Sequence, residues 1–455
     1  PIITGGSTWF ARMQQFAGRV YGPLIAHGIA WWHGAEGNYW GHNALIRTQA
    51  FAEHAGLPTL RGRKPFGGHI MSHDFVEAAL IRRGGWAVHM LPGLRGSFEE
   101  SPPSLADLSV RDRRWCQGNL QHAAILPARG LHWVSRLHLM TGIGSYTTAP
   151  LWLLFLLTGI LIALQARFVP PDYFPAGKSL FPQWPVIDPV RAMWVFIGTM
   201  GLLLLPKLLG AFAVMLNGAA RRGCGGSILL LASVILETVV AGLIAPVVML
   251  SQSIDVVAIL AGRDSGWNAQ RRDDGSLPFR DTVRRYRLHT ILGLVLGGIA
   301  WAVSLYLALW MLPVVLGLAL AIPLAALTAR RGAGLALRRL GLLRTPEETL
   351  QPAVVARAGT LLLKHVPDHT HVSAVDRLLT EPSLLSAHRQ MLPPPRRPLI
   401  DPLDVALLTG RATLEEASSL HQGWDRLTGA ERLAVLSDEV ALSRMVLLGS
   451  HRAEA

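Results

Sequence analysis

From about residue 145 onward the chain is dominated by long apolar runs, whereas before it polar and apolar positions alternate over short distances. The first 30 residues predict a short strand, a Gly5-Gly6 turn and an amphipathic helix around Phe10–Val20. Ala50–Gly56 has helical spacing with Pro58 as a stop signal, and a helix from Asp74 is closed by Gly84-Gly85. Val88–Pro92 predicts a strand and Ser109–His122 a helix.

The apolar runs then set a membrane topology. Ser145–Gln165 is long enough to cross a bilayer, which takes about 20 residues. The loop 168–189 carries five aromatics and one base, Lys178, as expected of an interfacial loop on the far side. Arg191–Leu216 returns, and Arg221 and Arg222 mark the near side. Ser227–Leu260 is one apolar stretch, yet seven arginines between Arg263 and Arg287 follow it. A single crossing would place them outside, so the expectation is two short crossings or a re-entrant pair turning near Ala245-Pro246. His289–Trp310 and Met311–Thr328 predict a last hairpin turning at Leu312-Pro313, about six crossings in all.

The predicted organisation is a mixed α/β head over 1–140, a membrane domain over 141–329 and a helical tail over 330–455. The tail has candidate capping boxes at Thr345–Glu348, Thr413–Glu416 and Thr428–Glu431, and a proline-rich linker at 391–398. Composition agrees: the chain is 50% hydrophobic and only 16% charged, with mean hydropathy +0.33. Its net charge of +13 comes mostly from arginines flanking apolar runs, so a nucleic-acid partner is not expected. Two distant cysteines, Cys116 and Cys224, suggest neither a disulfide framework nor a zinc motif.

Candidate chemistry concentrates between Trp31 and Trp115. Trp31, Trp32, Tyr39 and Trp40 cluster as core packing or as the wall of a ligand cleft. His69 and His73 have a metal-compatible spacing but no third ligand at a recognised distance. Asp74, followed by Glu77, reads equally as a helix cap or as a general base. Arg111 and Arg114 share a helix face, either a solvated basic face or a clamp for phosphate oxygens. Lys207 and Glu237 are charges within apolar runs, functional by default and open to pairing.

The run Arg111-Asp112-Arg113-Arg114-Trp115 resembles the Gln-x-x-Arg-Trp motif of processive family 2 glycosyltransferases, the group of cellulose and hyaluronan synthases, with arginine in place of glutamine. Ser72-His73-Asp74 resembles that group's Thr-Glu-Asp motif, and Tyr39-Trp40-Gly41-His42-Asn43 its acceptor-side Phe-x-Cys-Gly-Ser segment. Longer stretches, Gln14–Pro23, Arg111–His122 and Trp310–Gly317, are similar to the glucans biosynthesis glucosyltransferase H family, which makes the backbone of osmoregulated periplasmic glucans.

The resemblance implies a GT-A-like α/β domain, of which this chain holds the C-terminal half. It also implies an inverting transfer of glucose from UDP-glucose to a growing β-glucan, and a bacterial inner-membrane location with head and tail cytoplasmic. Asp74 would be the base, Arg111 and Arg114 the diphosphate clamp, and Trp115, Trp40, His42 and Asn43 the acceptor contacts; Lys207 and Glu237 would line the polymer path. A Mg2+ or Mn2+ ion is implied through an Asp-x-Asp motif. Because no aspartate precedes Asp74, its ligands and the nucleotide-binding half are expected upstream of Pro1, with no metal ligand in this chain. An acyl carrier protein is implied as a further partner. The alternatives are a transporter with a regulatory head and another membrane family 2 glycosyltransferase.

Overall fold

The computed structural model describes residues 1–39, 41, 43–169, 189–263, 278–365, 373–394 and 403–450. Two compact units result, Pro1–Arg357 and Ala358–Ala455. The first unit therefore holds head, apolar helices and the segment 330–357 together, and the boundary falls later than the 329/330 junction expected from the apolar pattern.

The head opens with β1 (Ile2–Ile3), paired in parallel with β2 (Phe98–Glu99) in the register Ile2↔Phe98 and Ile3↔Glu99. Its helices are α1 (Trp9–Val20), α2 (Gly22–His33), α3 (Thr48–His54), α4 (His73–Arg83) and α5 (Leu105–Gln121). This two-stranded pair is the whole sheet among the described residues. Val88–Pro92, expected as a strand, contributes a single bridge from Val88 to Glu36. Trp31 and Trp32 are not core: both lie on α2, and Trp31 is 89% exposed.

Thr8 caps α1, accepting from the Ala11 amide and donating to the Pro103 carbonyl at 2.6 Å, which ties the helix start to the loop before α5. Phe10, Met13, Phe16 and Val20, at helical spacing, bury against Leu105, Leu230 and Val234.

Six helices follow: α6 (Trp133–Phe168), α7 (Pro189–Leu216), α8 (Gly218–Gly223), α9 (Ser227–Leu260), α10 (Phe279–Val303) and α11 (Leu305–Ala319). Then come α12 (Ala321–Thr328), α13 (Arg331–Arg339) and α14 (Pro346–Thr349). Four helices, α6, α7, α9 and α10, are long and apolar enough to cross a membrane, or five counting the bent pair α11–α12.

Two expected turns are absent. α9 runs unbroken through Pro246, and Pro313 lies inside α11. A proline removes one hydrogen bond, whereas a turn within an apolar medium would strand several backbone groups. The hairpin instead turns at Ser304, whose extended backbone (φ −163°, ψ 136°) separates α10 from α11.

After α13 the chain returns to α1. Arg12, 1% exposed, grips Glu348 with both terminal nitrogens at 3.0 Å and also donates to the Leu343 carbonyl. The Thr345–Glu348 capping box is formed there.

The second unit contains the end of α15 (Ala353–His365) and α16 (Ala374–Thr380) through α17 (Pro382–Gln390), α18 (Val405–Glu416), α19 (Leu420–Arg426), α20 (Gly429–Leu436) and α21 (Glu439–Ser450). Leu414, Val435 and Met445 form its core, and Thr428–Glu431 is a second capping box. Thr413 lies inside α18 and donates back to Thr409, so the third expected box does not form.

Candidate functional site

The site is assembled where α5 meets the start of α4. Gly118 makes this possible: a Cβ there would come within 2.8 Å of both the Cβ and the amide nitrogen of Ser72. One turn further, Gln121 spans the loop before α4, donating to the His69 carbonyl and accepting from the Met71 amide, both at 3.0 Å. His122 Nε2 lies 3.3 Å from the Ser72 carbonyl and its ring packs on Phe75. Burial pushes its pKa down to about 4, so it is a neutral donor at physiological pH.

Held in this way, Asp74 occupies the first turn of α4, and Ser72 stands at the N-cap position without a side-chain cap bond. The cap reading of Asp74 is thereby corrected. Gly41, with φ +84°, presses its backbone on the carboxylate; a Cβ there would meet Oδ2 at 3.1 Å. His73 Nδ1 sits 3.1 Å from Asp74 Oδ1 and 3.0 Å from Glu77 Oε1. Tyr39 donates to the other Glu77 oxygen, and burial together with this bond raises the phenol's pKa. Glu77 is therefore a partner of Tyr39 and His73 rather than half of a cap pair.

His73, Asp74 and Glu77 bring three donor atoms within 4.8 Å of one another, the one such group among the described residues. His69 is not part of it, so the metal pairing suggested by its spacing does not form. His73 Nδ1 is hydrogen-bonded to Glu77 and lies within ion-pair distance of Asp74, and Tyr39 donates to Glu77 as well. The three side chains offer donor atoms close enough together to hold a divalent cation; no step is derived through a metal.

The arginine motif lies on α5, immediately before Gly118. Arg111 stacks on Trp115 at 4.6 Å, and burial lowers its pKa against the opposing pull of Glu99 and Asp112. Trp115 is half exposed and Arg114 half-buried one turn from Arg111. Asp112 accepts from the Tyr146 hydroxyl at 3.0 Å and from Gln252 Nε2 at 2.8 Å. Arg113 pairs with Asp255 at 3.6 Å. The motif is thus fastened to α6 and α9. Asn43, at φ 60°, accepts from the Ser97 hydroxyl at an exposed position, while Trp40 and His42 lie outside the described residues.

Lys207 and Glu237 form an ion pair at 2.7 Å, with the Tyr21 hydroxyl donating to the same carboxylate oxygen at 3.1 Å. A groove of about 540 Å³ runs along α9 beside Glu237, lined by Phe10, Met13 and Gln14 of α1, Trp152 of α6, and Glu237 and Gln252 of α9. Fifteen residues separate Glu237 from Gln252, about 22 Å of helix.

Sequence reasoning missed Gln121, Gly118, Gln252 and Tyr146. One local signal was available: Gln117-Gly118-Asn119 and Gln121-His122 are polar or small, yet continue an apolar-spaced helix, which implies burial with partners.

Residues 10–213 match the model of Glycosyl transferase family group 2. The chain is 53% identical, over all of its length, to 62% of a protein named "Glucans biosynthesis glucosyltransferase H" from Rhodopseudomonas palustris (strain TIE-1). It is 55% identical to a protein of the same name from Bradyrhizobium diazoefficiens, over 98% of this chain and 59% of that protein. Another from Xanthomonas euvesicatoria pv. vesicatoria is 58% identical over 79% of this chain and 56% of that protein. The chain thus spans about three fifths of the length of the curated relatives it matches. No solved structure matches.

Proposed function

This chain is homologous along its whole length to the glucans biosynthesis glucosyltransferase H proteins, and from that premise we propose that it supplies the acceptor side of a membrane glucosyltransferase. The reaction is a single inverting displacement in which an acceptor hydroxyl of a growing β-glucan attacks the anomeric carbon of UDP-glucose.

The observation that carries this reading is the fastening of the Asp74 loop to the arginine helix through Gly118, Gln121 and His122. A base and a leaving-group clamp must keep a fixed separation to act on one reacting centre. Asp74 takes the acceptor proton, with His73 and Glu77 shaping its charge. Arg111 and Arg114 stabilise the diphosphate as negative charge builds on it. Trp115, already stacked on Arg111, orients the terminal sugar, with Asn43, Trp40 and His42 as further acceptor contacts.

The groove beside Trp152 and Gln252, leading toward Lys207 and Glu237, is the route by which product leaves the head. The protein resides in the bacterial inner membrane with head and tail cytoplasmic, and an acyl carrier protein is a further partner. The test uses membranes carrying the full-length protein and radiolabelled UDP-glucose. Label should enter β-linked glucan; label retained entirely as free glucose or UDP-glucose, with all partners present, would overturn the reading.

A further inference from the structure

The segment from Glu36 to Gly41 runs along α4 from its last turn to its first. Glu36 pairs with Arg82 in the last turn, Tyr39 donates to Glu77, and Gly41 presses on the Asp74 carboxylate in the first turn. About 12 Å of helix separates Arg82 from Asp74, within reach of the chain from Glu36 to Gly41.

The three contacts differ in kind. Glu36 also lies 3.1 Å from His132 at the start of α6, so it fixes the far end of the segment. Gly41, at φ +84°, has no side chain with which to hold its place. Tyr39 is therefore the last side chain that ties the segment to α4 before it reaches Asp74. Its acceptor, Glu77, is 8% exposed and is held from the other side by His73 Nδ1 at 3.0 Å. Burial and the neighbouring carboxylate raise the pKa of the Tyr39 phenol, so it stays a donor at physiological pH. Beyond Gly41, Asn43 accepts from Ser97, the residue before β2. The stretch is thus held between α4 and β2, and Tyr39 sets its register on Asp74.

We propose that Tyr39 is a positioning residue for glucosyl transfer: through Glu77 it keeps the acceptor segment at a fixed distance from Asp74, so that a sugar hydroxyl rather than water meets the base. This role presupposes Asp74 as base and the segment at 39–43 as the acceptor side. Transfer and hydrolysis share their first half. The bond from the anomeric carbon to the diphosphate oxygen breaks, UDP departs, and Asp74 takes one proton. With the acceptor in place the new bond goes to a glucan oxygen; otherwise it goes to water and frees glucose. Misplacing the acceptor by about 1 Å costs transfer roughly 10²-fold, whereas water needs no segment to orient it.

The test is Tyr39→Phe in the full-length protein, in membranes given UDP-glucose labelled in its glucose, with Asp74→Asn membranes as the blank. Phenylalanine keeps the ring and removes the hydrogen bond. Tyr39 also lies outside the His73, Asp74 and Glu77 group, so an ion held there keeps its ligands. The ratio of free glucose released to glucose incorporated should rise roughly tenfold, with KM for UDP-glucose unchanged. The ratio belongs to each active molecule, so a loss of folded protein leaves it where it was. Glu77→Gln still offers Tyr39 an acceptor oxygen and should move the ratio the same way by less, which keeps the test open if Tyr39→Phe does not accumulate. An unchanged ratio overturns the proposal, as does a shifted KM for UDP-glucose without a change in ratio. Wild-type membranes that form no labelled glucan would instead remove the acceptor-side reading, and this role with it.

Discussion

The carboxylate of Asp112 accepts a 2.8 Å hydrogen bond from Gln252, 140 residues later in the chain. Through it, the helix bearing Arg111 and Arg114 takes its position from α9. Gln252→Leu leaves Asp112 with Tyr146 as its remaining partner in this network and costs about 1–3 kcal/mol for the lost pairing. Glucose incorporation should fall roughly tenfold, the equivalent of about 1.4 kcal/mol at the transition state. Unchanged incorporation would show that the arginine helix holds its place without this anchor.

Asp74→Asn should lower glucan synthesis by about 10²–10⁴-fold, because an amide cannot take the acceptor proton. Ser72, not Asp74, stands at the cap position, so thermal stability should stay within about 0.5 kcal/mol of wild type. Radiolabel incorporation and thermal melting in detergent, run on the same preparation, separate the two effects. Full turnover would remove Asp74 as base.

Gly118→Ala should disturb the site from a distance. Its new methyl would meet Ser72 at 2.8 Å, including backbone, so α4 must shift. Overpacking of this kind costs about 1–3 kcal/mol. Activity should fall further than stability, since the displaced loop is the one that presents Asp74. Equal activity at equal expression would show that the α4–α5 spacing is not critical.

Glu237 is 6% exposed at its side chain and balanced by Lys207 at 2.7 Å. Lys207→Met alone strands a buried carboxylate and should destabilise by about 3–5 kcal/mol. Adding Glu237→Met should recover most of that loss. Detergent melting of the single and double variants checks the order, and a double variant as unstable as Lys207→Met would refute the pairing account.

Stability should decline as pH falls from about 6.5 toward 4. Folded His122 resists protonation down to about 4, whereas in the unfolded chain it takes a proton near 6.5. The unfolded state therefore binds more protons in this window, and stability is lost as pH drops, at about 1.4 kcal/mol per pH unit. His122→Gln cannot titrate and should flatten this slope in melting curves taken between pH 4 and 7.

Apolar run lengths and arginine placement made the membrane character legible, and α1 is predicted almost to the residue because Phe10, Met13, Phe16 and Val20 repeat at helical spacing. The turns were misread at Pro246 and Pro313. Proline reads as a stop in water, but within an apolar helix it is accommodated, and Ser304 provides the break instead. The capping boxes at Thr345 and Thr428 form, while the one at Thr413 does not, since a four-residue pattern cannot register that its threonine lies inside a longer helix.

What the sequence by itself determined is the inventory: Asp74, Arg111, Arg114 and Trp115 in order, and the charges Lys207 and Glu237 embedded in apolar runs. Their types and spacings follow from local chemistry, which periodicity and motif can read. Only the tertiary structure decided who meets whom: Gln121 with the His69–Met71 loop, Gln252 with Asp112, and Arg12 with Glu348. These partners lie 50 to 336 residues apart. α9 shows the limit most plainly. Ser233, Glu237, Gln252 and Asp255 interrupt its apolar run, and only the fold gives each of them its partner.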